Sequence, residues 1–212
     1  GKPRDKKEMT ELLAQAVDFG YTFFDTAEVY GTPDNPHANE TLLGEALKPF
    51  RNRIQIGTKF GIHFDLDSTA TNKPIVTDAR PAGIRQSVDA SLQRLQTDHI
   101  DIYYQHRQDP KVPVEEVASV MADLIKEGKI LHWGLSEVDA DTLRRAHAVC
   151  PVTAVQNRYS MMARKYESLF PVFFLTARRK SHDRDIGFQM RGSQITGHDD
   201  DRISEINRTS LG

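Results

Sequence analysis

Segments with an apolar residue every three or four positions alternate along the chain with short, unbroken apolar runs. That is the pattern of amphipathic helices interleaved with buried parallel strands. The first helix is predicted over Lys7 to Phe19, where Met9, Leu12, Leu13, Ala16 and Val17 share a face and Gly20 follows as a stop. Tyr21 to Asp25 then reads as a strand. Helix Asn39 to Leu47 precedes strand Ile54 to Lys59, and helix Ala82 to Leu95 precedes strand Ile100 to Tyr104. Helix Val114 to Glu127, strand Ile130 to Leu135, helix Ala140 to Val149 and strand Val152 to Gln156 continue the series. The fold class is therefore α/β, with five consecutive strands on one parallel sheet. Ile62 to Pro81 is expected to be a loop that shapes a pocket, because structureless loops of this length are usually functional or disordered.

A polar residue stands where each apolar run stops: Asp25, Lys59, His106, Ser136 and the pair Gln156-Asn157. In a closed β/α barrel the C-terminal strand ends converge on one mouth, which holds the active site. Strand ends are commonly polar, so any one of these residues alone reads as a loop residue. An acid, a lysine and a histidine on successive strands form a more specific set.

Charge and composition narrow the function. The formal net charge is −2 and the basic residues are scattered, so no basic stripe for a nucleic acid is expected. No apolar run approaches the roughly 20 residues of a membrane span, and the charged stretch Gly1 to Glu8 is unlike a signal peptide. The expectation is a cytoplasmic protein acting on a small molecule. The single cysteine, Cys150, lies in an apolar stretch and reads as a buried small hydrophobe. The eight histidines have no HExxH or similar ligand spacing, so no metal is expected.

Phe24-Asp25-Thr26-Ala27-Glu28-Val29-Tyr30-Gly31 resembles the aldo-keto reductase segment that carries a catalytic aspartate and tyrosine. Thr58-Lys59-Phe60-Gly61 and Tyr104-Gln105-His106-Arg107 are similar to that family's catalytic-lysine and catalytic-histidine strands. Gly134-Leu135-Ser136-Glu137 and Gln156-Asn157-Arg158-Tyr159-Ser160 resemble the two segments that hold the nicotinamide amide. The five motifs run in the family's order from about Lys6 to Pro171. The resemblance implies a (β/α)8 barrel of the TIM type and an NADP-dependent oxidoreductase that reduces aldehydes or ketones to alcohols. Asp25, Tyr30, Lys59 and His106 would be its catalytic residues, and Ser136, Gln156 and Asn157 would bind the cofactor. The chain has no GxGxxG, so a nicotinamide would lie across the barrel mouth and not on a Rossmann turn. Phe60, Phe64 and Trp133 are candidates for apolar walls of the pocket.

The chemistry of those residues suits that reaction. Carbonyl reduction places a hydride on carbon and a proton on the developing alkoxide, so the site needs an acid close to working pH. A tyrosine, with a reference pKa of about 10, needs help to serve. An ammonium about 4 Å away contributes on the order of 4 kcal/mol at an effective dielectric near 20, roughly three pKa units. Asp25 would keep Lys59 charged and cancel part of its field, which makes that figure an upper bound. His106 would orient the substrate carbonyl as a neutral donor.

The chain also departs from the family pattern. Gly1 leads directly into a helix where relatives have a hairpin and a first strand. Residues 172–212 are charge-dense, as in Arg178 to Asp185 and His198 to Arg202, and lack the family's phosphate-binding segment. Ile186-Gly187-Phe188 resembles the start of a further strand, which Gln189-Met190-Arg191 is expected to break. The chain thus reads as strands two to six of the barrel over 1–171, followed by a tail expected to be disordered or frame-shifted. A catalytically silent fragment with weak, unselective cofactor binding is the first alternative to a reductase. A cofactor-binding regulatory subunit is the second.

Overall fold

The computed structural model describes residues 5–71, 73–158, 160–162 and 164–165, together with the backbone of Gly187–Arg191. Helix α1 (Lys6–Asp18) starts at Asp5, whose carboxylate accepts from the backbone N–H groups of Lys7 and Glu8. Strand β1 (Phe23–Asp25) follows, then α2 (Ala38–Leu47), a 3-10 turn (Lys48–Arg53) and β2 (Gln55–Phe60). A short hairpin, β3 (Ile62–Phe64) and β4 (Ile75–Thr77), leads into α3 (Pro81–Leu95). The remaining elements are β5 (Ile100–Gln105), α4 (Val114–Lys126), β6 (Ile130–Ser136), α5 (Ala140–Val149), β7 (Ala154–Arg158) and β8 (Gly187–Arg191). All five predicted strands and their helices are present, with ends displaced by up to two residues.

Two expectations change. The stretch after β2 is not structureless: β3 and β4 pair antiparallel, Ile62 opposite Thr77 and Phe64 opposite Ile75. Three-residue strands are too short to show an alternation along the sequence. Gly187–Arg191 forms a strand where Gln189-Met190-Arg191 was expected to end one, and it pairs parallel with β7 from Ala154–Gly187 to Arg158–Arg191. A ladder offered by a neighbouring strand overrides the weak intrinsic preference of a polar segment. Apart from that strand, the expectations for residues 172–212 lie outside the described residues.

The main sheet runs β1-β2-β5-β6-β7-β8, every pairing parallel. In the main sheet β1, β2, β5 and β6 each lead to a helix against the same face, and α1 to α5 pack side by side in chain order, as in one part of a β/α barrel wall. Register decides which side chains share a face. Asp25 pairs with Gly57, Lys59 with Tyr104, Tyr104 with Gly134, and Ser136 with Gln156. Side chains alternate along each strand, so Asp25, Lys59, Tyr104, Ser136 and Gln156 all project from the inner face. Thr58, Tyr103 and Trp133 are likewise in register and project to the helix side, where Ile84, Val88, Val117, Met121 and Leu124 complete the core.

That parity moves two candidate pocket walls. Phe60 and Trp133 belong to the helix-side core: Phe60 stacks on Tyr103 at 4.7 Å, and Trp133 donates its Nε1–H to the Pro151 carbonyl. Of the three aromatic candidates, Phe64 on the hairpin stays half-exposed. Cys150 is buried as expected, and burial pushes its thiol above the ordinary range.

Candidate active site

Parallel strands end at one edge of the sheet, and that edge assembles the site. The ladder continues past β1, because Thr26 N donates to Gly57 O and Glu28 N to Lys59 O. It also continues past β5, where His106 N donates to Phe60 O. Backbone pairing therefore sets the positions of Asp25, Lys59 and His106 relative to one another. Tyr30 lies in the turn beyond the β1 ladder, and α2 holds that turn: Asn39 N donates to Tyr30 O, and the Thr26 hydroxyl donates to Asn39 Oδ1. Gly31 follows because a Cβ there would meet Asn35 O at 2.0 Å.

Lys59 is fully buried. Its ammonium donates to Asp25 Oδ2 at 2.7 Å and to Thr26 O at 2.6 Å. An isolated buried ammonium is costly, and a carboxylate plus a carbonyl compensates it. The same Nζ lies 4.9 Å from the centroid of the Tyr30 ring. His106, also buried, meets the Tyr30 ring edge-on with centroids 5.6 Å apart at 78°. The four residues, from the ends of β1, β2 and β5 and the turn after β1, thus form one contact group with Tyr30 at its half-exposed rim.

A second phenol stands on the same inner face. Tyr104 is buried, and burial followed by the Asp25 charge pushes its hydroxyl well above the usual tyrosine range. Its ring lies against Gly134, where a Cβ would come within 2.5 Å of it. Burial thus disfavours the Tyr104 phenolate, and the Tyr30 ring lies under the Lys59 ammonium.

Ser136, the last residue of β6, pairs with Gln156 in the middle of β7. Ser136 Oγ donates to Gln156 O at 2.9 Å, and Gln156 Nε2 donates to Asp25 Oδ1 at 3.3 Å, which connects this pair to the ion pair. Their hydroxyl and amide present both donors and acceptors toward the inner face, the donor set that a carboxamide requires. Asn157 differs. It points to the opposite face, accepts from Val138 N and donates to Val138 O, each at 3.0 Å, and so clamps the turn after β6. Glu137 in that turn has a positive φ of 55° and accepts from Arg158 N.

The protein-family model described as the aldo/keto reductase family matches residues 1–177. The chain belongs to the aldo/keto reductase family. A protein described as probable aldo-keto reductase 1 from Glycine max is 42% identical over 166 residues, which are 78% of this chain and 45% of that protein. The structure of the glycerol dehydrogenase AKR11B4 from Gluconobacter oxydans matches with a TM-score of 0.73 at 25% identity, over 94% of this chain and 61% of that one. The aldo-keto reductase AKR11C1 from Bacillus halodurans shares the fold at 24% identity, with a TM-score of 0.72 over 99% of this chain and 70% of that one. The chain therefore spans somewhat under half the length of the curated relative. As an aldo/keto reductase it carries the partial-barrel architecture expected from its strand pattern.

Several supporting residues were not legible as such. Glu28 is buried and accepts from Gly61 N at 3.0 Å. Asp109 is buried and accepts from Ala79 N and Lys111 N, which ties the base of the hairpin to the loop after His106. Glu40 bridges the Thr58 hydroxyl and Arg94 behind β2. Their sequence signal is only an acid in an otherwise apolar neighbourhood, and the partners come from distant segments.

Proposed function

We propose that this aldo/keto reductase reduces aldehydes or ketones to alcohols with NADPH, Tyr30 delivering the proton. The observation that carries the reading is the buried Lys59 ammonium, held by Asp25 and Thr26 and set 4.9 Å from the Tyr30 ring. At that separation the field favours the phenolate over the phenol, which is what a tyrosine needs to release a proton near neutral pH. Asp25 balances the lysine and so keeps the ammonium charged in a site shielded from water. His106, edge-on to Tyr30, would donate to the carbonyl oxygen that the phenol protonates, and their ring contact supports that role. Ser136 and Gln156 suit the carboxamide of the nicotinamide, which supplies the hydride when bound. Asn157 supports that subsite through its hold on Val138 and does not face it.

The test is Tyr30→Phe. General acid–base catalysis contributes ~10²–10⁴-fold, so kcat for aldehyde reduction should fall by at least that range while the Kd for NADPH stays close to wild type. A variant that keeps more than about a tenth of the wild-type rate would remove Tyr30 from this role. Titration with NADPH and NADH in parallel tests the cofactor preference.

A further inference from the structure

Glu28 is a buried carboxyl that the proposed chemistry does not use. Its backbone N–H extends the β1–β2 ladder onto Lys59 O, and its backbone carbonyl accepts from His37 Nδ1 at 2.5 Å, at the start of α2. Its side chain crosses to Gly61 N, directly after the strand that carries Lys59, where the backbone takes a positive φ of 93°. Two residues further on, the same turn carries Tyr30. Three attachments on one residue therefore fix the Tyr30 turn against the Lys59 strand and the α2 terminus.

We propose that Glu28 is a positioning residue for Tyr30, its carboxyl locking the turn that carries the phenol to the end of the lysine strand through Gly61. This rests on the reading of Tyr30 as the acid. The groups that face the carboxyl are the Ser87 hydroxyl and Arg94 from α3, Glu40 from α2 and Tyr103 from β5, with Lys59 joined through its backbone and His37 through its ring. Burial is the largest influence on the carboxyl and Glu40 adds to it, against the Ser87 and Gly61 hydrogen bonds and Arg94, so that it titrates at about 7. Above that pH the Gly61 N–H meets a carboxylate, a stronger acceptor than the neutral acid. A negative charge then also stands two residues from Tyr30 and favours the protonated phenol. The link and the local field both change within the neutral range.

Glu28→Gln keeps an acceptor for Gly61 and cannot ionise, whereas Glu28→Ala removes the link. The expected result is that Glu28→Ala lowers kcat by ~10–100-fold, as a small misplacement of a catalytic group does, with the Kd for NADPH little changed. Glu28→Gln should restore the rate below neutral pH to within a few-fold of wild type and move the basic limb of the pH–rate profile to lower pH. NMR of the wild-type chain with carbon-labelled glutamate and tyrosine gives a readout independent of activity. The Tyr30 ring signals should shift with the same midpoint as the Glu28 carboxyl, and that inflection should vanish in Glu28→Gln. If the wild-type chain reduces no aldehyde, the reductase reading fails, and the Tyr30 inflection still decides the role of Glu28. Tyr30 signals that ignore the Glu28 titration would overturn the proposal. So would a Glu28→Gln profile superimposable on wild type through neutral pH.

Discussion

At the scale of single residues, Lys59 and Asp25 have unequal parts. Lys59 is fully buried, and its ammonium reaches the Asp25 carboxylate, the Thr26 carbonyl and the face of Tyr30. Asp25 remains partly exposed and is paired with that ammonium. Lys59→Met deletes the field that favours the phenolate, so the basic limb of the pH–rate profile should move to higher pH. Asp25→Asn weakens the charged state of the lysine and also removes a charge that cancels part of its field, two opposed effects, so its shift should be smaller than that of Lys59→Met. Profiles of both variants in parallel check the order; a harsher Asp25→Asn would reverse the two roles.

Among the elements, the turn between β6 and α5 depends on a neighbouring strand. Val138 is fully buried, and both its backbone N–H and its carbonyl are bonded to the Asn157 amide. Asn157→Ala would leave both groups buried and unpaired, each at a cost of about 1–3 kcal/mol. The expected outcome is a loss of about 2–4 kcal/mol in denaturant unfolding, with the loosened turn carrying Ser136 away from Gln156. Unchanged stability would show that the amide is not the clamp, and the direct cofactor contact expected from the sequence would then be the better assignment. The neighbouring Gly134 is constrained in another way, since the Tyr104 ring occupies the space where a Cβ would be.

For the whole molecule, buried carboxyls couple folding to pH. Glu28 titrates at about 7 against a reference of 4.5. Between those values the folded chain retains a proton that the unfolded chain releases. Stability therefore falls as pH rises through that window and levels off above about 7, the total change being about 3 kcal/mol at ~1.4 kcal/mol per unit. Glu28→Gln should remove that slope and be more stable than wild type above neutral pH. Urea unfolding at a series of pH values measures it, and an unaltered slope in the variant would place the titrating group elsewhere.

The sequence by itself determined the order and type of the main elements. Helical and strand periods differ enough to be read over ten or more residues, and each strand end carried its polar residue in view. The composition of the site was legible for the same reason, since Asp25, Lys59, His106, Ser136 and Gln156 mark where apolar runs stop. Only the tertiary structure decided which way those side chains face. A one-residue step in register reverses a side chain, and register belongs to the pairing of two strands. That is why Gln156 joins the site while Asn157 turns to Val138, and why Phe60 and Trp133 are core and not pocket wall. The hairpin β3–β4, the continuation of strand β8 past Phe188 and the tie from Glu28 to Gly61 were hidden on the same ground. Each depends on a partner segment, and no local pattern records a partner's position.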